Sequence, residues 1–234
     1  MELWRILLVG AIVAGVVALL LPEPEKVPGL QGGVLVEEGT YVVERSGRRA
    51  GEEAFRLWLA DGAYRIESAL GPGRPGAVLV LDRGWNPLYY AEKGRTTVEI
   101  RIVGGRPRVA TGSGLLRREV ELPVLPPFAF LGAESVAPWF ALYRQLLARA
   151  PGPEVTVVLA EERRALPAVG GERQPVELLV AGRPLPAEVL PVTLGGREVL
   201  LYGQGDLLLG ARSADGDWVI YLKESLPDGL QPRR

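Results

Sequence analysis

The chain has 234 residues, 47% of them hydrophobic, and its 27 basic and 28 acidic side chains leave a net charge of −1. That length suits one β-rich domain or two small ones with a true core, and the apolar content excludes a disordered chain. With no Cys and no His, the chain cannot supply a Cys/His zinc site, a Ser-His-Asp or Cys-His catalytic group, a c-type haem site, a disulfide or a lipid-modified N-terminal Cys. No cofactor or metal is expected, and the balanced charge argues against a nucleic-acid partner.

In chain order, the first element is apolar. Ile6 to Leu21 is sixteen residues without a charge, extended by Leu3 and Trp4. As a helix, Leu3 to Leu21 spans roughly 28 Å, close to the hydrocarbon thickness of a bilayer. Residues 1–22 are therefore expected to form a transmembrane anchor, with Arg5 and Trp4 at the interface. A signal peptide cut near Ala18 is the alternative. Arg5 precedes the span, and Glu23 and Glu25 follow it. This places the N-terminus in the cytoplasm and the rest outside the inner membrane, in a periplasmic or other extracytoplasmic space. Residues 23–38, rich in Pro and Gly, read as a spacer.

Residues 39–226 read as a mainly β, extracytoplasmic domain. Phe55, Leu57 and Leu59 alternate with Arg56 and Trp58, and Asp61-Gly62 then marks a hairpin turn. Tyr64, Ile66 and Ser68 alternate with Arg65 and Glu67. Val98, Ile100 and Ile102 follow the same rule up to Gly104-Gly105, and Leu116, Val120 and Leu122 are expected to share a buried face. Strands joined by such turns predict a long antiparallel meander, curved into a sheet or half-barrel around one α-helix. That helix is expected near 136–149, where Val136, Trp139, Phe140, Tyr143, Leu146 and Leu147 recur every three or four residues. Ser135 is its expected cap, Pro138 fits its first turn, and Pro126 to Leu131 is a rigid apolar approach. Further strands are expected at Val155–Leu159, Val176–Val180, Glu198–Tyr202 and Trp218–Lys223, with a turn at Asp215-Gly216. The tail, 227–234, is expected to fray.

Few residues carry candidate chemistry. Gly71 to Gly76 matches G-x-G-x-x-G, but a strand at Ala77–Leu81 follows instead of a helix, so it reads as a hairpin connector. Glu52-Glu53 and Glu161-Glu162 are neighbours that point to opposite faces of a strand, and Asp215 and Asp217 flank a turn glycine. None reads as a catalytic pair, and the chain is expected to be no enzyme. The aromatic residues Trp58, Trp85, Tyr90, Trp139, Phe140, Tyr143 and Trp218 either fill a core or line an apolar site.

The run Gly39-Thr40-Tyr41-Val42-Val43-Glu44-Arg45-Ser46-Gly47, continuing to Glu53, resembles the opening hairpin of the bacterial envelope domain of unknown function 3108. Trp85-Asn86-Pro87-Leu88 and Trp218-Val219-Ile220-Tyr221-Leu222 add to the likeness. That domain is similar to LolA/LolB-type lipoprotein-carrier half-barrels. The resemblance implies a binding fold over Gly39 to Leu226. A helical anchor in place of a lipidated Cys departs from the LolB pattern and points to a tethered presenter rather than a diffusing carrier. The expected function is a membrane-anchored, non-enzymatic envelope protein whose curved sheet holds a lipid-like ligand. The alternative is a docking module for another envelope protein, through an exposed strand edge or apolar patch.

Overall fold

The computed structural model describes residues 31–223, except 70–75, 94–95, 113–115, 133–134, 150, 153 and 181–182. The expected anchor (1–22), the spacer up to residue 30 and the tail (227–234) lie outside the described residues. Among the described residues no helix is long and apolar enough to cross a membrane.

The described chain is mainly β, in one large open curved sheet. Its first half is β1 (Val34–Arg45), β2 (Arg48–Ala60), β3 (Ala63–Ala69), β4 (Gly76–Leu81), β5 (Pro87–Lys93), β6 (Thr97–Val103), β7 (Arg106–Thr111), β8 (Arg118–Glu121) and β9 (Phe128–Leu131). The helix α1 (Ala137–Leu147) follows. The second half is β10 (Glu154–Leu159), β11 (Arg164–Gly170), β12 (Gln174–Val180), β13 (Arg183–Leu194), β14 (Arg197–Gln204), β15 (Leu207–Ser213) and β16 (Trp218–Leu222). Across the sheet the order is 8-7-6-5-4-3-2-1-16-15-14-13-11-10-9, with β12 paired to β13 off this path.

The expected meander holds from β1 to β8 and from β13 to β16. It fails at β9, because the segment expected to be a rigid approach is a fully buried strand. The helix then carries the chain back, so β10 starts at the same end as β9 and pairs with it in parallel. A parallel pair requires such a crossover. Two further expectations are corrected. β1 begins at Val34, inside the segment read as spacer. β8 is exposed along its whole length, Val120 at 36%, and Leu116 before it is 82% exposed; of the expected face only Leu122 is buried. β8 is an edge strand bearing Arg118, Glu119 and Glu121, the charge pattern that blocks edge-to-edge association.

Strand alternation sorts the side chains. Tyr41, Phe55, Leu57, Ile66, Leu79, Tyr90 and Ile100 face inward onto Phe130, Phe140, Leu142 and Tyr143 in one core. Val42, next to Tyr41, and Tyr202, Leu209 and Tyr221, next to the inward Leu201, Leu208 and Ile220, form a second, smaller core with Leu178 and Ala187 on the opposite face.

Proline explains why several strands are hard to read. Pro167, Pro186 and Pro191 sit inside β11 and β13, where a missing N–H would break a ladder. The Pro186 carbonyl accepts from Gln204 Nε2 (3.2 Å), that of Pro191 from Gly171 N (2.8 Å) and that of Pro167 from Gly195 N (2.8 Å). In a strand the N–H and C=O of one residue point to the same side. Each ring therefore faces a side where the neighbouring strand has ended, and no ladder bond is lost.

Candidate functional site

The sheet has two distinct ends. The turns at Ser46-Gly47, Gly195-Gly196 and Asp215-Gly216 gather at one end with the start of α1; this end is called the mouth. The turns at Asp61-Gly62, Gly84-Trp85 and Gly205-Asp206 gather at the other with the end of α1; this is the base. The two-residue turn Gly195-Gly196 has φ of +55° and +86°, the left-handed conformation a tight hairpin demands.

The mouth starts from the helix. Ser135 was the expected cap, but Val136 holds the N-cap position without a side-chain cap bond. The cap comes from another strand instead. The Glu53 carboxylate on β2 accepts from Val136 N (2.7 Å), Ala137 N (3.3 Å) and the Ser135 hydroxyl (2.8 Å). Ser135 in turn shares a hydrogen bond with Ser68 (3.1 Å). A carboxylate satisfies the free N–H groups of a helix start and complements its dipole. Glu53 is fully buried. Burial pushes its carboxyl above the ordinary value of 4.5, against hydrogen bonds from Ser68, Val136, Ser135 and Ala137 that pull it down. Beside it, the Tyr90 hydroxyl donates to the buried Glu92 carboxylate.

One turn further along α1, Trp139 meets Trp218 at the start of β16, with ring centroids 5.0 Å apart. The turn before β16 is tied down on several sides. Asp215 Oδ1 accepts from Asp217 N (3.2 Å), the Ser213 hydroxyl accepts from Trp218 N (3.3 Å), and Asp217 O accepts from Ser46 N (2.7 Å) across to the β1–β2 turn. Both Trp rings stay half-buried. On one side of the pair opens a cleft of about 900 Å³, lined by Leu159, Leu166 and Leu194 and by Glu162, Arg164, Arg197, Glu198, Asp215 and Asp217. On the other side a smaller cleft of about 360 Å³ runs past Val43, Arg45, Ser135 and Val136. A hydrogen bond from Ser213 holds the exposed Asp215 below the usual carboxylate range, so the rim keeps negative charge beside its arginines.

Of the seven aromatic candidates, only Trp139 and Trp218 come together at an open site. Phe140 is core, against Phe55 (5.8 Å) and Trp85 (5.9 Å). Tyr90 is buried against Phe130. Trp85 and Tyr143 close the base: Trp85 stacks on Tyr64 (4.5 Å), and the Tyr143 hydroxyl donates to Gly205 O (2.9 Å). Trp58 lies on the outer face under Arg65 (5.4 Å), its Nε1 donating to Glu67. Beneath the helix, the gap among Leu79, Leu81, Phe130 and Ala141 has no room for a water molecule.

The leucines and arginines of the mouth were not candidates in the sequence. Their one legible signal is turn counting. Successive hairpins alternate between ends, so Gly195-Gly196 and Asp215-Gly216, two strands apart, fall at the same end. Among the described residues no group of three or more His, Cys, Asp or Glu is placed to hold a metal ion. No family model, no curated protein and no solved structure matches this chain.

Proposed function

We propose that the chain is a non-enzymatic, membrane-anchored envelope protein that holds an amphipathic, lipid-like ligand at the mouth of its curved sheet. The observation that carries this reading is the cleft of about 900 Å³ beside Trp139 and Trp218. One wall is apolar, made of the half-buried Leu159, Leu166 and Leu194. The other carries both signs of charge, which suits a zwitterionic or hydroxyl-bearing head group better than a simple anion. The packed space beneath the helix favours the end of the sheet over its interior for this site.

Native mass spectrometry of the full chain in detergent micelles supplied with phospholipid tests the reading. The wild type should retain a lipid-sized adduct, and a Trp139→Ala/Trp218→Ala double variant should lose it. A ligand-free mass for the wild type, or an equal adduct on the folded double variant, counts against a site at the mouth.

A further inference from the structure

We propose that the tips of β1 and β2 dock on the surface of the phospholipid bilayer that holds the N-terminal segment, so that the mouth points away from that membrane. This rests on the reading of residues 1–22 as an anchor. Among the described residues, seven large apolar side chains remain exposed, and four of them gather at the base: Val34 (72% exposed), Leu35 (40%), Val36 (53%) and Leu59 (36%). Register explains the cluster. Val34 lies opposite Leu59 and Leu35 opposite Trp58, and Val36 falls in the bulge between the Leu35 and Glu37 pairings. The apolar side chains thus cover both faces of the strand tips. On its other edge, among the described residues, β1 pairs with β16 over Tyr41–Arg45, and the Thr40 carbonyl accepts from Lys223 N (2.8 Å). Trp58, with a flat ring and a polar Nε1, is the kind of side chain that settles at a membrane interface.

The chain leading to this patch fixes its occupant. The apolar run ends at Leu21, and even fully extended the link to Val34 reaches at most ~45 Å. The first strand residues after the anchor are themselves the patch. β1 has 12 residues and rises roughly 40 Å from base to mouth. A domain seated on its base therefore holds Trp139 and Trp218 well clear of the head groups, open to a ligand or partner from the aqueous side.

The absence of native cysteine makes each introduced cysteine a unique label site. The full chain is reconstituted in phosphatidylcholine/phosphatidylglycerol vesicles with brominated acyl chains. A nitrobenzoxadiazole label is placed through Ala14→Cys in the anchor, Leu35→Cys or Val36→Cys in the patch, and Ser46→Cys at the mouth. Bromine should quench the labels at 14, 35 and 36, roughly halving emission at the patch for side chains at the acyl boundary, and spare the label at 46. Quenching at 14 without quenching at 35 and 36 overturns the docking and leaves the anchor standing. No quenching at 14 removes the anchor and the docking with it. A blue-shifted but unquenched label at 36 means that protein, a second copy or the chain's own N-terminal segment, covers the patch, and this also overturns the proposal.

Discussion

At the base of the sheet, Arg144 near the end of α1 bridges Glu37 on β1 (3.6 Å) and Asp206 in the β14–β15 turn (2.7 Å). Its guanidinium lies 5.1 Å from the Trp85 ring centre and 5.0 Å from that of Phe140. Gln145 Nε2 donates to Phe128 O and Trp85 O, and Tyr143, its phenol pushed up to about 12 by burial, donates to the β14–β15 turn. At the mouth the helix start is equally well held, by Glu53, but from beneath. Nothing among the described residues crosses above Trp139 and Trp218. Both ends have aromatic side chains and arginine. At the base the arginine comes from the helix and is drawn inward over the rings. At the mouth Arg164 and Arg197 come from strand ends, and Arg164 pairs with its neighbour Glu162. The cross-element bonds of Arg144 pass over the rings and seal the base, while the Arg164–Glu162 pair at the rim of the mouth is local and leaves that end open.

Mutations break this comparison in order of size. Glu53→Ala removes the acceptor of three buried donors and should cost about 3 kcal/mol in denaturant unfolding; a loss below ~1 kcal/mol would mean water replaces the cap. Arg144→Ala should cost about 2 kcal/mol, because two ion pairs and two ring contacts meet at a nearly buried group. It should also raise amide exchange at residues 203–207 while leaving the mouth unchanged. Trp218→Ala should cost only ~1 kcal/mol, since the ring is half-buried, yet abolish the lipid adduct. That split between stability and binding is the sharpest mark of a site.

A pH series sharpens the mouth itself. The Glu53 carboxyl is raised by burial in the folded chain, so the unfolded chain gives up this proton first as pH rises. The stability tied to protonated Glu53 is complete below 4.5 and is lost as pH climbs through the folded value. Glu53→Gln does not titrate. Wild-type stability minus that of Glu53→Gln should therefore fall from pH 4.5 upward; a flat difference would mean Glu53 ionises as in an exposed site. Glu99 works in the other direction. Burial would raise it, but the hydrogen bonds from Arg117 and Arg101 prevail and lower it, and its contribution is lost only in acid. The smallest effect is expected for Arg197→Ala, within ~0.5 kcal/mol in stability, with a measurable change only in the head-group preference of the adduct.

Much of the fold is legible from local pattern. The 55–66 hairpin, the Asp61-Gly62 and Asp215-Gly216 turns, the strand after Gly76 and the helix around Trp139 all follow from spacing. β11 and β13 escape notice because their prolines read as breakers, and only the ending of a neighbouring strand makes those positions tolerable. β9 escapes because a four-residue apolar run between Pro127 and Gly132 carries no period. Of the site, Trp139 and Trp218 were visible as aromatics. Glu53 was visible only as half of a pair whose members point to opposite faces of a strand, because its partner Ser135 lies 82 residues away.

The sequence by itself determined that this chain is a β-rich body without thiol or imidazole chemistry, preceded by a sixteen-residue apolar run. Alternation and turn residues are local properties and need no partner to be read. Only the tertiary structure decided which turns share an end, which aromatics fill the core and which face open space, and that a strand carboxylate caps the helix. Those facts depend on how far a curved sheet rolls around its helix, and that is set by packing between residues far apart in the chain.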